Sequence, residues 1–184
     1  MATFVNVKNL VYAKMSDEDE KTYEEVKTIS PLMTVKVDTA TSGEILYGDG
    51  TTQERKSVTG ETTVEFGVND VSQEVQADLL GHTLDATTGV LTETDEDEAP
   101  YAAIGFQIEK SNGSSVYYWF LKGTFDEVGI DAQQQEEKPV FSTPTLKGTF
   151  IYRSDGNKKF QMDEDSGTAV PSDFLSTVYD PATV

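Results

Sequence analysis

Apolar and polar residues alternate with a period of two through much of the chain. Met33, Val35 and Val37 fall on one side of an extended backbone, while Thr34, Lys36 and Asp38 fall on the other. Val64, Phe66 and Val68 alternate with Thr63, Glu65 and Gly67 in the same way, as do Ile104, Phe106 and Ile108 with Gly105, Gln107 and Glu109. This pattern predicts strands that each rest one face on a core. Residues 116–121, Val-Tyr-Tyr-Trp-Phe-Leu, are apolar without a break, which predicts a strand covered on both faces. Asn112-Gly113 between the last two strands supplies the positive φ angles of a tight hairpin turn. Asp155-Gly156 predicts a second hairpin, joining a strand near 145–153 to one near 158–162. Further strands are expected at 10–14, 23–29, 45–47 and 55–58, so the expected class is mainly β, an antiparallel sandwich or barrel.

One stretch changes period. Asp70 is placed to cap a helix, with Gln73 three residues on to complete a capping box. Val71, Val75 and Leu79 then recur every four residues, and Gly81 suits the left-handed position past the end. The spacing predicts one flanking helix over about 70–81, with His82 at its terminus in a structural role. A second short helix is expected from Ser172 through Phe174, Leu175 and Tyr179, stopped by Pro181. The pentapeptide Leu-Lys-Gly-Thr-Phe occurs twice, at 121–125 and 146–150, which suggests two strands in related positions with each glycine at a bulge or close backbone approach.

Charge narrows the function. Thirty-three Asp and Glu against fourteen Lys and Arg give 184 residues a formal net charge of −19. Residues 57–109 hold twelve carboxylates and no Lys or Arg. Such a surface argues against a general nucleic-acid binder, which needs clustered cations on phosphate. The absence of cysteine removes disulfides, thiolate zinc sites and a cysteine nucleophile, and a single histidine excludes a multi-His metal site. Asp163-Glu164-Asp165-Ser166-Gly167 begins like an EF-hand loop, but its glycine comes one position early and Phe174 at position twelve cannot ligate. No Gly-x-Ser-x-Gly elbow or phosphate-cradling glycine loop is present, and Tyr47-Gly48-Asp49-Gly50 reads as a turn. No catalytic residue, metal or cofactor is expected, and neither a membrane span nor a signal-peptide apolar region is seen.

Five stretches taken together resemble a known family. They are Lys-Asn-Leu-Val-Tyr-Ala-Lys at 8–14, Val-Gln-Ala-Asp-Leu-Leu-Gly-His at 75–82 and Pro-Tyr-Ala-Ala-Ile-Gly-Phe at 100–106. Tyr-Trp-Phe-Leu-Lys-Gly-Thr-Phe at 118–125 and Pro-Thr-Leu-Lys-Gly-Thr-Phe at 144–150 complete the set, in order, over roughly residues 8–162. They are similar to the major tail proteins, or tail tube proteins, of long-tailed, non-contractile phages and prophages of Gram-positive bacteria. The resemblance implies a virion protein made in the host cytoplasm, a β-sandwich or barrel with one flanking helix. It also implies six copies per ring, and rings stacked into a hollow tube. The implied partners are the protein itself, a tape measure protein and tail-end proteins. Double-stranded DNA is in transit only, because an acidic wall repels phosphate and lets the genome slide.

On that reading residues 1–184 are one tail-tube domain with an N-terminal arm at 1–8, a projecting hairpin at 41–60 and a C-terminal arm at 163–184. Phe4 and Val5, Ile45, Leu46 and Tyr47, and Phe174, Leu175 and Tyr179 are the candidate self-assembly residues. Glu65 and Glu109, on the polar faces of alternating strands, are the candidate lumen acids. The alternative is a secreted or surface β-sandwich binding module of carbohydrate- or adhesin-like type.

Overall fold

The computed structural model describes residues 2–19, 21–29, 31–48, 51–129, 143–166 and 174–181, without the side chains of 44–48 and 51–56. These residues form eleven strands and one α-helix. In chain order they are β1 (Phe4–Asp17), β2 (Thr22–Tyr23), β3 (Lys27–Thr28), β4 (Leu32–Gly48), β5 (Thr51–Val68), α1 (Gln73–Leu80), β6 (Thr83–Leu84), β7 (Leu91–Thr92), β8 (Ala102–Lys110), β9 (Ser115–Phe125), β10 (Thr145–Phe150) and β11 (Lys159–Asp163). All pairings are antiparallel. The fold is the mainly β, sandwich-like class that the alternation predicts.

The main sheet runs β2-β1-β8-β9-β10-β5-β4. It folds over on itself because one edge of β9 has two successive partners. Residues Val116 to Phe120 pair with β11, and Gly123 to Phe125 pair with β10. One layer therefore holds β1, β8, β11 and most of β9; the other holds β10, β5 and β4. The Asp155-Gly156 turn is present, closed by Gly156 N–H to the Arg153 carbonyl at 2.9 Å. Its flanking strands do not pair with each other, contrary to the expected hairpin; both lie against β9, one after the other. The β8–β9 hairpin does form, with Gly113 at φ 86°.

Two apolar clusters hold the layers. The larger lies between them and contains Leu10, Tyr12, Val64, Phe66, Ile104, Phe106, Phe120, Leu146 and Phe150. The smaller covers the far face of β8 and β9, where Trp119 (0% exposed) packs with Val11, Ala103, Leu121 and Phe174. Alternate residues of β9 thus enter different clusters, which is why that strand is apolar throughout.

The helix closes one side of the larger cluster. Val75, Leu79 and Leu80 are buried there, each contributing about 1.5–3 kcal/mol of apolar transfer. Its N-cap is Ser72, whose hydroxyl accepts from Val75 N–H, so the helix begins two residues later than Asp70 suggests. The Gln76 side-chain amide nitrogen Nε2 donates to the Val71 carbonyl at 2.9 Å, fixing the chain just before the cap. Gly81 ends the helix in the left-handed conformation, with its N–H on the Ala77 carbonyl. On its polar side Asp78 accepts from Tyr12 Oη at 2.7 Å and pairs with Lys14 and Lys27 on β1 and β3.

Candidate assembly surfaces

The repeated pentapeptide explains how β9 and β10 join. Its two copies pair with each other: Gly148 faces Phe125, Thr149 faces Thr124 and Phe150 faces Gly123. Each glycine lies against the phenylalanine of the other copy. A Cβ on Gly123 would sit 2.4 Å from Phe150 Cδ1, and one on Gly148 would sit 2.8 Å from Phe125 Cε1. The local pseudo-symmetry seals the seam between the two layers.

From this seam β4 and β5 run outward together. Within the body β5 pairs with both β4 and β10, ending at Thr62 opposite Thr39 and Phe150. Beyond that point, among the described residues, β4 and β5 pair only with each other, to Gly48 opposite Thr51, with register shifts after Thr39 and after Leu46. The result is a two-stranded ribbon of roughly 30 Å at 3.3 Å per residue. It spans the segment expected as the 41–60 hairpin, and its strands are longer than those expected at 45–47 and 55–58 because they directly continue two body strands. A bulge marks its root, where Ala40 faces both Gly60 and Glu61. Lys158 pins that root: its Nζ donates to the Gly60 carbonyl at 2.9 Å and lies 4.7 Å from the Tyr152 ring centroid. Burial pushes the Lys158 ammonium below its ordinary value. Ile45, Leu46 and Tyr47 pair with Arg55, Glu54 and Thr52 on the ribbon; their side chains lie outside the described set.

Two of the strand edges that lack a partner strand among the described residues carry exposed apolar side chains. One is the outer edge of β4, which carries Met33 (52% exposed) and Val37 (43%). The other is the edge of β1 along Phe4 to Lys8, whose opposite edge pairs with β8 from Phe4 facing Lys110 to Lys8 facing Gln107. From Phe4 onward the expected N-terminal arm is therefore strand. Phe4 and Val5 remain exposed, with a bulge between Phe4 and Asn6.

The C-terminal candidates sit differently from an arm. Phe174 is buried in the smaller cluster, with Leu175 and Tyr179 packed beside it. Tyr179 lies edge-on to Phe160 at 5.5 Å between ring centroids. Trp119 Nε1 donates to the Phe174 carbonyl at 2.7 Å. In a helix that carbonyl would accept from the N–H of Val178, so the anchor to Trp119 replaces the expected second helix by turns over the described residues. Ser172, its expected cap, lies outside them. The fully buried Arg153 fastens this segment, pairing with Asp180 at 3.2 Å and with Asp155.

The two candidate lumen acids lie on opposite outer faces. Glu65 points away from the larger cluster on β5, in a row with Lys36 of β4 and Lys147 of β10. Its Oε2 is 3.7 Å from Lys36 Nζ. Glu109 points away from the same cluster on β8, where Lys8 Nζ at 2.6 Å and Asn6 at 3.2 Å hold it below the usual carboxylate range. No helix is long and apolar enough to cross a membrane among the described residues.

The model of the phage tail tube protein family matches residues 38–169, well over half of the chain. The chain belongs to the phage tail tube family. No curated protein matches it. Tail tube proteins are structural, non-catalytic virion components that assemble into a tube. The match covers the ribbon, the helix, the β8–β9 hairpin and both copies of the pentapeptide.

Proposed function

We propose that this tail tube protein forms hexameric rings that stack into the tube of a non-contractile phage tail, an acidic conduit for double-stranded DNA during ejection. The observation that carries the reading is the ribbon, joined to free edges at both ends of the sheet. An isolated two-stranded ribbon is marginal in water, and an unpaired edge is a template for another strand. In a ring, the β4 edge of one copy pairs beside the β1 edge of the next, a head-to-tail contact that closes by rotation. The ribbon then reaches the adjacent ring, with Ile45, Leu46 and Tyr47 in that contact. Phe4 and Val5 contribute at the lateral seam. Phe174, Leu175 and Tyr179 act indirectly, by holding the layer that carries β1 in shape.

A bore is lined by one layer, so it takes either Glu65 or Glu109. We assign it Glu65, because it lies on β5 directly beside β4, the strand through which copies pair. The tape measure protein occupies the bore before DNA does, and tail-end proteins cap the stack.

Negative-stain microscopy of the concentrated protein tests this reading. Hollow rods are expected from the wild type. A variant in which residues 44–56 are replaced by Asn-Gly should remain folded, by circular dichroism, and form no rods. Rods of normal length from that variant would refute the role of the ribbon, and a wild type that never forms rings or rods would refute the assembly.

A further inference from the structure

The single histidine stands where three parts of the chain meet. His82 follows the C-cap of α1, Glu93 follows β7, and Glu127 lies just past β9. One imidazole nitrogen and one carboxylate oxygen from each glutamate lie within 4.8 Å of one another. The imidazole is nine-tenths buried, and its Nδ1 is 2.9 Å from Asp97 Oδ2. Asp97 is in turn held by the N–H and hydroxyl of Thr94, at 3.1 and 2.6 Å. With Nδ1 engaged, Nε2 is the nitrogen left to ligate, and no protein group bonds to it among the described residues.

The charges at this point are unbalanced. Among the described residues no Lys or Arg pairs with Glu93 or Glu127; Lys147 pairs instead with Asp126, the neighbour of Glu127. Two like charges brought together favour a cation between them. An imidazole oriented by a carboxylate on its other nitrogen is the usual form of a metal-bound histidine. The donor set of one nitrogen and two oxygens suits a transition-metal dication better than Ca2+ or Mg2+, which take oxygen ligands.

We propose that His82, Glu93 and Glu127 bind one divalent transition-metal ion of the Zn2+ type, with water completing the coordination and Asp97 orienting the imidazole. The ion ties the end of α1 to the segment after β7 and to the start of the β9–β10 connection. In a tetrahedral Zn2+ site the donor atoms stand about 3.3–3.5 Å apart, so the cluster closes by at most about 1.5 Å on binding. The two exposed glutamates supply that movement.

The test uses the full chain, stripped with a chelator and titrated with Zn2+ by calorimetry and with Mn2+ by pulsed electron paramagnetic resonance. One Zn2+ per chain is expected, with a melting temperature raised by about 5–10 °C at a free concentration a hundredfold above Kd. Bound Mn2+ should show nitrogen coupling from a single imidazole. Glu127→Gln, at an exposed position, should melt like the wild type without metal and lose the stoichiometric binding; His82→Gln should lose the nitrogen coupling. Asp95→Asn, in the same acidic run, should change neither. Unchanged binding in Glu127→Gln, or diffuse weak binding without nitrogen coupling in the wild type, would overturn the proposal.

Discussion

Replacing Gly123 with alanine tests the seam between the layers. The added methyl would lie 2.4, 2.5 and 2.9 Å from Cδ1, Cε1 and Cγ of Phe150. Carbon atoms in good contact are about 3.5–4.0 Å apart, so the overlap is about 1 Å. The ring has little room to retreat. It is fully buried, with Phe120 at 5.1 Å and Phe125 at 5.8 Å between centroids. Overpacking of this kind costs about 1–3 kcal/mol, and the stiffer unfolded chain of the alanine variant returns about 0.4–1 kcal/mol. A net loss of about 1–2 kcal/mol is expected, which lowers the melting temperature by about 2–8 °C in a chain of this size. Urea unfolding followed by the fluorescence of Trp119 measures it. Because the loss comes from the ring, Phe150→Leu should relieve it, with a coupling of at least about 0.5 kcal/mol in the double-mutant cycle. Gly113→Ala is the contrast. No atom lies within 4 Å of its added methyl, and its φ of 86° alone should cost about 1–2 kcal/mol, additively with Phe150→Leu. A Gly123→Ala variant as stable as the wild type, or one whose loss simply adds to that of Phe150→Leu, would refute the argument.

Three other outcomes are expected. Phe174→Ala should cost about 3–5 kcal/mol and shift the Trp119 emission to the red as its cover loosens, which fluorescence reads directly. The protein should lose stability as pH falls below about 4. Hydrogen bonds from Lys110, Asn112 and Ser114 hold Asp165 at about 2, and Arg153 holds Asp155 lower still. Burial opposes ionisation of Asp78, but Lys27, Tyr12 and Lys14 together hold it below its ordinary value. In each case the unfolded chain takes up the proton first, so stability is complete above the unfolded value near 3.9 and is lost through the folded ones. Asp78→Asn should flatten that decline in an acid titration followed by circular dichroism. Raising salt from 0.01 to 0.1 M, which shortens the screening length from about 30 to 10 Å, should promote polymerisation; light scattering that falls steadily with salt would count against charge as the opposing force.

The period-two segments at 64–68 and 104–108 were legible in the sequence because each strand's burial is set by its own alternation, whereas Met33 and Val37 of the segment at 33–38 stay exposed on the edge strand β4. Ile104, Phe106 and Ile108 enter the core as their spacing predicts. The Asn112-Gly113 turn was legible for the same local reason. Where a long-range partner decides the conformation, sequence pattern misleads or is silent. The Asp155-Gly156 turn is correct, yet its strands diverge because β9 offers each a separate stretch of edge. Phe174 has apolar neighbours at helical spacing, but Trp119, 55 residues away, takes its carbonyl. The repeat of Leu-Lys-Gly-Thr-Phe was visible, whereas the pairing of its copies was not, since nothing local specifies that one glycine faces the other phenylalanine. The cluster at His82 was missed for a similar reason. Asp97 and Glu127 follow it by 15 and 45 residues with no motif spacing to connect them.

The free edge of β4 raises a question that the charge answers. An apolar edge with Met33 and Val37 exposed would ordinarily be an aggregation hazard, and proteins blunt such edges with bulges, prolines or cover. Here the edge strand is 17 residues long and continues into the ribbon, with no strand covering its outer edge among the described residues. Besides the bulges between β4 and β5, the protection available is a net charge of −19 on every copy. Repulsion acts over the screening length of about 8 Å at physiological salt, whereas strand pairing acts at about 4.8 Å. Copies are therefore held apart until two edges align closely enough for backbone hydrogen bonds to form. A random encounter presents mostly acidic surface and fails, while an encounter at the end of an existing tube offers edges and ribbons already in register. Long-range repulsion combined with short-range directional pairing thus favours growth on a template over spontaneous association, and in the proposed assembly the same acidic surface carried into the bore would keep DNA from adhering to it.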